Sequence, residues 1–294
     1  MKKILIFFII VSTSIAFAQI EDVIKPQDFH NPEDSTLKQG WNPFGVVGLN
    51  LSQVAFKNWT QGGSNSLAFV AYTNVGTAYL SNPWKWKNLL KASFGRTNIE
   101  DAGYRTTDNE IYFESILSRK FGWAVDPYFA VTVRTAITKG FDYGGETRTQ
   151  IVDFFDPGYI TEALGFLYEP NDNFSSRLGI AVQQTIANKF ALQYSDDPDT
   201  PDEVEKLKID TGLESVTAAV VPLAENMQYG TFLRLFSRFT SLDVWDVRWD
   251  NIITAKVTKY INVNLAVSLV HEISQTRKTQ FKEALQIGIV YTLF

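Results

Sequence analysis

The chain has 294 residues, of which 27 are basic and 32 acidic, with no cysteine and 14% aromatic side chains. The missing thiol excludes disulfides, thiolate metal sites and lipid attachment through cysteine, and the acidic balance argues against nucleic acid as a partner. Mean hydropathy is −0.09, that of a water-soluble chain, and beyond the N-terminus no apolar run approaches the roughly 20 residues that a membrane-spanning helix takes.

Lys2 and Lys3 precede an apolar run from Ile4 to Ile10, and Ala16-Phe17-Ala18 offers a small-x-small cleavage site. Residues 1–18 therefore read as a secretory signal cleaved after Ala18. Losing Lys2 and Lys3 leaves 25 basic against 32 acidic side chains, a net of −7. Residues 19–40, with Pro26, Pro32 and mixed charge but no periodicity, read as a periplasmic tail.

From there to the end, apolar and polar residues alternate. Twelve such segments are predicted, near 44–57, 64–80, 84–97, 108–121, 126–139, 158–169, 174–186, 207–221, 227–239, 246–257, 261–272 and 280–294. Segments of about ten residues, apolar on one face and polar on the other, are the unit of a transmembrane barrel. The fold class is thus all-β: an antiparallel transmembrane β-barrel of about 12 strands over residues 41–294. In the last segment Phe281, Leu285, Ile287, Ile289, Tyr291 and Leu293 form the apolar face. Gln286, Gly288, Tyr291, Leu293 and a terminal Phe294 resemble the signal by which bacterial outer-membrane barrels are recognised for insertion. That likeness places the protein in the cell outer membrane.

Alternate connections are tight: Ser81 to Pro83, Gly122 to Val125, Pro170 to Asn173, Pro222 to Asn226 and Thr258 to Tyr260. Those between are mostly long and polar, including Asn98 to Thr107, Gly140 to Pro157 and Ala187 to Lys206. Short periplasmic turns opposite long extracellular loops are the barrel pattern, and an even strand number puts both termini in the periplasm. Tyr79, Trp84, Trp86, Trp123, Tyr128, Tyr168, Phe174 and Tyr260 gather beside the short turns as an interfacial girdle. A soluble β-sandwich, the competing architecture, needs no such ring.

Asn58-Trp59-Thr60-Gln61-Gly62-Gly63-Ser64-Asn65-Ser66, then Trp86-Lys87-Asn88-Leu89-Leu90, Phe94-Gly95 and Arg105-Thr106-Thr107-Asp108-Asn109, form a recognisable set. They resemble an uncharacterised family of Bacteroidota outer-membrane proteins known only as a domain of unknown function, with N-W-x-x-G-G-x-N-S and W-x-N-x-L motifs. The resemblance implies the same location and fold and no catalytic residue. On the residues alone, Gly62 and Gly63 suit a tight extracellular turn and Asn65 can bond neighbouring backbone. Trp59 then marks the outer interface, or contacts a ligand or partner.

With the apolar faces turned to lipid, the lumen receives Lys87, Lys91, Glu110, Glu114, Arg134, Arg177, Glu214, Arg234, Arg238, Asp246, Arg248, Asp250, Lys256 and Lys282. Lys87 and Lys91 stand on the strand beside Glu110 and Glu114, and Arg234 and Arg238 beside Asp246 and Asp250, so cross-strand ion pairs are expected. Such pairs either fill and close a narrow barrel or form a selectivity constriction.

Two histidines, His30 and His271, leave little room for a hydrolase, because Ser268 and Ser274 stand at odd offsets from His271 and face the other way. The acidic run from Asp196 to Glu203 lacks the spacing of a Ca²⁺ loop and reads as a solvated loop. No catalytic residue, metal site or cofactor is assigned. The functional expectation is a small porin-like channel for solutes. The alternative is a structural or accessory subunit of an envelope complex. Expected partners are outer-membrane lipid and lipopolysaccharide, the barrel-assembly machinery during insertion, and envelope-complex subunits.

Overall fold

A computed structural model describes residues 38–56, 64–100, 103–145, 147–197, 200, 203–273 and 278–293. Twelve antiparallel strands close into a barrel, and a two-stranded hairpin stands apart from it. In chain order the strands are β1 (Gly40–Val54), β2 (Ser66–Ser81), β3 (Trp84–Ile99), β4 (Gly103–Arg119) and β5 (Asp126–Thr135). The hairpin is β6 (Gly140–Asp142) with β7 (Thr149–Val152). The wall resumes with β8 (Gly158–Asn171) and β9 (Phe174–Ile186), followed by a one-turn helix α1 (Ala191–Tyr194). It ends with β10 (Leu207–Ala224), β11 (Met227–Arg238), β12 (Asp246–Lys256), β13 (Ile261–His271) and β14 (Gln280–Thr292).

Successive wall strands pair with one another in chain order, β5 joining β8 across the inserted hairpin. The exception is the seam, where β1 meets β14 with Val46 opposite Thr292 and Leu51 opposite Ile287. Closure gives every strand two partners, which is how a β-structure satisfies its backbone in a medium without water.

The alternation in sequence becomes two faces. Outward stand Leu164, Leu178, Ile180, Phe281, Leu285 and Tyr291, all more than half exposed. A continuous apolar surface of this kind does not persist in water, and here it is the lipid-facing band. Inward stand Glu114, Glu214, Asp250 and Asn264, each 2% exposed or less. The arrangement is a polar core inside an apolar shell, the reverse of a soluble sandwich. Strands tied by tight turns at one rim and long connections at the other complete the transmembrane pattern.

The girdle forms at the short-turn rim without Tyr128, which is 2% exposed and turned into the lumen instead. Trp41 lies 4.9 Å from Tyr79 and 5.9 Å from Trp86, Phe121 stacks on Trp123 at 5.1 Å, and Tyr168 meets Phe174 edge-on at 6.2 Å. Glycines on the lumen face make room for large rings: Tyr128 packs over Gly179, where a Cβ would come within 2.8 Å of its hydroxyl.

Three boundaries differ from the sequence reading. The stretch Asn98 to Thr107, read as a loop, is mostly strand: Asn98 pairs with Tyr104 and Ile99 with Gly103, after a bulge between Gly95 and Arg96. Above the lipid the ladder continues without an apolar face, so the periodic signal disappears while the pairing does not. The predicted segment 126–139 stops at Thr135, because Ala136 instead forms an isolated parallel bridge with Phe154. The β6–β7 hairpin and α1 arise inside loops for which no element was predicted. The secretory signal, most of the tail, His30, Trp59, Gly62, Gly63, Ser274 and Phe294 lie outside the described residues.

Candidate functional site in the barrel lumen

Basic and acidic side chains meet across the lumen in tiers. Near the long-loop end, Arg248 on β12 reaches Glu110 on β4 at 3.2 Å and holds Asp250 on its own strand at 2.9 Å. Around the ring, β12 and β4 have five strands between them in either direction, so this pair spans the full diameter. Arg134 on β5 reaches Glu272, just past β13, at 3.2 Å, and these too stand on opposite walls. Lys282 on β14 reaches Asp108 on β4 at 2.7 Å. Arg238 lies between Asp210 at 3.1 Å and Asp246 at 2.9 Å.

Deeper in, Arg177 on β9 contacts Glu114 at 2.6 Å, and the Tyr112 hydroxyl donates to the same carboxylate oxygen at 2.8 Å. Arg234 contacts Glu214 at 2.8 Å and donates to Gln183 at 2.8 Å. At the short-turn end Glu169 receives both Lys85 at 2.8 Å and Lys87 at 2.6 Å. Rings fill the remaining space. Tyr128, Phe232 and Phe236 are 2% exposed or less, with Arg234 and Arg238 over the faces of Phe236 at 5.5 and 5.7 Å.

Among the described residues, cavities interrupt this packing in the outer half. One of about 30 Å³ lies among Tyr112, Arg177, Glu214 and Arg248; another of about 70 Å³ lies beneath the hairpin, reaching Phe141 and Val152. Each has room for a water or a few. Ion pairs and aromatic rings thus cross and crowd the lumen at its waist.

Apart from Lys256, which is exposed at the end of β12, the lumen candidates are buried or half-buried, but several partners differ from the cross-strand expectation. Arg238 does pair with Asp246. Arg234, however, takes Glu214 rather than a residue of β12, and Lys87 takes Glu169 rather than Glu114. Glu110 and Glu114 are claimed by Arg248 and Arg177 from other walls. Long arginine side chains reach past their own neighbours once the sheet curls, and a flat register cannot show this. Lys91 is buried opposite Tyr112. Sequence reading missed Lys85, Asp108, Glu169, Asp210 and Glu272. Lys85 shares a face with Lys87 by simple parity; the two glutamates sit at strand ends, where that signal fades.

A second polar cluster lines the seam. Asn50 donates to Gln286 at 3.1 Å, Asn264 donates to Asn262 at 3.1 Å, and Thr254 donates to Asn264 at 2.8 Å. Gly288 faces this cluster, while Tyr291 and Leu293 point to lipid. In the loop motif, Asn65 Oδ1 accepts from Phe56 N at 2.6 Å, and Asn65 N donates to Glu100 at 3.0 Å, tying the base of the first loop to the β3–β4 tip.

Ser268 is buried toward the lumen while His271 faces outward, its Nδ1 3.1 Å from Thr279 Oγ1. The two do not form a nucleophile and base. Among the described residues no group of three or more His, Asp or Glu is arranged to hold a metal. The acidic loop satisfies its own backbone: Asp196 accepts from Glu205 N at 3.3 Å and Glu205 accepts from Asp197 N at 3.0 Å. The Thr200 hydroxyl, the first cause, and that Asp197 N–H hold the Glu205 carboxyl at about 2. Thr200→Ala should raise it toward the ordinary glutamate value, an upward move read by NMR titration of the loop. Because the native value is depressed below 4.5, this contribution to loop ordering should be fully present above about pH 4.5 and decline progressively as pH falls through about 2.

These features define the class: a twelve-stranded transmembrane β-barrel with a charged, crowded lumen. Residues 51–141, which contain every segment carrying the family resemblance, match the sequence model of a family described as a protein of unknown function (DUF3078). No curated protein matches the chain. In structure it is similar to an outer membrane channel from Pseudomonas putida F1, at 12% identity and a TM-score of 0.42, covering 89% of this chain and 100% of that one. It is also similar to the NanC porin, at 10% identity, 85% and 100% coverage and a TM-score of 0.41. The CymD monoaromatic hydrocarbon channel follows at 9% identity, 92% and 93% coverage and a TM-score of 0.36.

Proposed function

We propose that this chain is an exported outer-membrane barrel, cleaved after Ala18, that passes small polar solutes through a lumen normally shut by ion pairs. The observation that carries this reading is the pair of diametric bridges, Arg248 with Glu110 and Arg134 with Glu272. A barrel needing only stability would do as well with an apolar filling, since replacing buried ion pairs by hydrophobic side chains is often neutral or stabilising. Bridges between opposite walls instead make a barrier that opens when a few side chains swing aside. No catalysis is proposed.

Purified full-length protein in planar bilayers should give small, brief conductance steps, with ion selectivity altered by Arg134→Ala or Arg234→Ala. Complete silence under every voltage and salt condition would sink the channel reading. The accessory-subunit reading would gain if a tagged copy were recovered in a stoichiometric complex that loses its partners when residues 19–40 are removed.

A further inference from the structure

The cavity beneath the hairpin has a chemical character of its own. Its floor presents Asp108 and Glu110 from β4 and Arg134 from β5, and its wall is made by Tyr159, Phe141 and Val152. Asp108 and Glu110 are 5% and 6% exposed. The Arg134 guanidinium lies 4.6 Å over the Tyr159 ring, which fixes its plane. Arg134 stands opposite Tyr112 in register, so it is a diagonal neighbour of Glu110 on the same face.

Each of these three charges is one half of a bridge whose other half comes from elsewhere on the wall: Lys282, with three strands between, for Asp108, and Arg248 and Glu272, from the opposite wall, for Glu110 and Arg134. A solute that moves inward must part those bridges. An anion can satisfy Arg134 but strands a carboxylate, and a cation does the reverse; either way a buried charge is left without a partner, at a large cost. A molecule carrying both a carboxylate and an ammonium satisfies Arg134 and the β4 acids together, and the groups it displaces are of both signs, with Glu272 in the field of Arg248, so they can pair with one another. The apolar wall of Phe141 and Val152 then receives a short hydrocarbon group, and about 70 Å³ limits its size.

We infer that this cavity is a binding site for small zwitterions of the amino-acid type, and that such zwitterions are the solutes the barrel admits best. The inference rests on the permeation reading above and sharpens it by naming the solute class.

The test uses full-length protein in liposomes and three radiolabelled probes on one carbon skeleton: L-alanine, lactate (no ammonium) and 2-aminopropanol (no carboxylate). Flux is measured against protein-free vesicles. Alanine should exceed both analogues by about tenfold, the penalty for an unpaired buried charge being at least that large. Arg134→Gln should erase the advantage over 2-aminopropanol, and Arg134→Lys, which keeps the charge, should retain most of it. Equal flux of all three probes would overturn the inference and leave permeation standing. An undiminished alanine preference in folded Arg134→Gln would also overturn it. If none of the probes crosses faster than in protein-free vesicles although the barrel is inserted and folded, permeation and inference fall together.

Discussion

Replacing Arg248 by alanine is expected to turn a closed barrel into a leaky one, and to destabilise it at the same time. Arg248 is 3% exposed and serves two carboxylates, Glu110 on the opposite wall and Asp250 beside it. Truncation removes one of the struts that join opposite walls of the lumen and leaves both acids without their guanidinium. Breaking a buried pair by deleting one partner costs about 3–5 kcal/mol. Heating in detergent and scoring the folded band on a gel reads that loss. Conductance in planar bilayers reads the opening, which should be larger and longer-lived than in the parent protein. Adding Glu110→Ala removes one stranded charge and should recover part of the stability while leaving the lumen open. A stable, silent Arg248→Ala barrel would show that the strut closes nothing.

The second large effect is expected at the seam. A Cβ on Gly288 would stand 2.0 Å from Asn262 Oδ1, 2.7 Å from Asn50 Oδ1 and 2.9 Å from Asn264 Nδ2. These are short side chains, buried and bonded to one another, so none can swing away cheaply. Gly288→Val forces β14 away from β1, where pairing is recorded only from Val46 to Leu51. Overpacking typically costs about 1–3 kcal/mol, and here it falls on the one contact that closes the ring. The expected outcome is a sharply reduced folded fraction in the outer membrane, with protein accumulating in the periplasm, measured by the gel shift and by protease sensitivity. Gly288→Ala should show a milder form of the same defect. Normal assembly of Gly288→Val would remove the seam cluster from this account.

Much of the fold was written in local periodicity. A strand in a barrel wall has lipid on one side along most of its length, so Ile261 to His271 and Gln280 to Thr292 announce themselves by parity alone. The segment near 207–221 has no clearly apolar face in sequence and is still a strand, its lumen face held by neighbours: Glu214 by Arg234, and Gly212 against the backbone of Ser237. Where the lipid stops, the signal stops. That is why the upper β3–β4 ladder reads as a loop and why the β6–β7 hairpin is invisible.

The site divides in the same way. Parity alone turns Lys87, Lys91, Glu110, Glu114, Arg134, Arg177, Arg234, Arg238, Asp246 and Asp250 inward, since each stands on the polar face of a strand. Who pairs with whom depends on curvature. Arg248 and Glu110 are separated by 138 residues, and only closure of the ring brings their strands face to face. Alternation and short turns determine a twelve-stranded wall with a charged interior, because each is a local demand of lipid and backbone. Whether that interior is open or shut was decided by the tertiary structure alone, since it depends on how far long side chains reach across a diameter that no stretch of sequence contains.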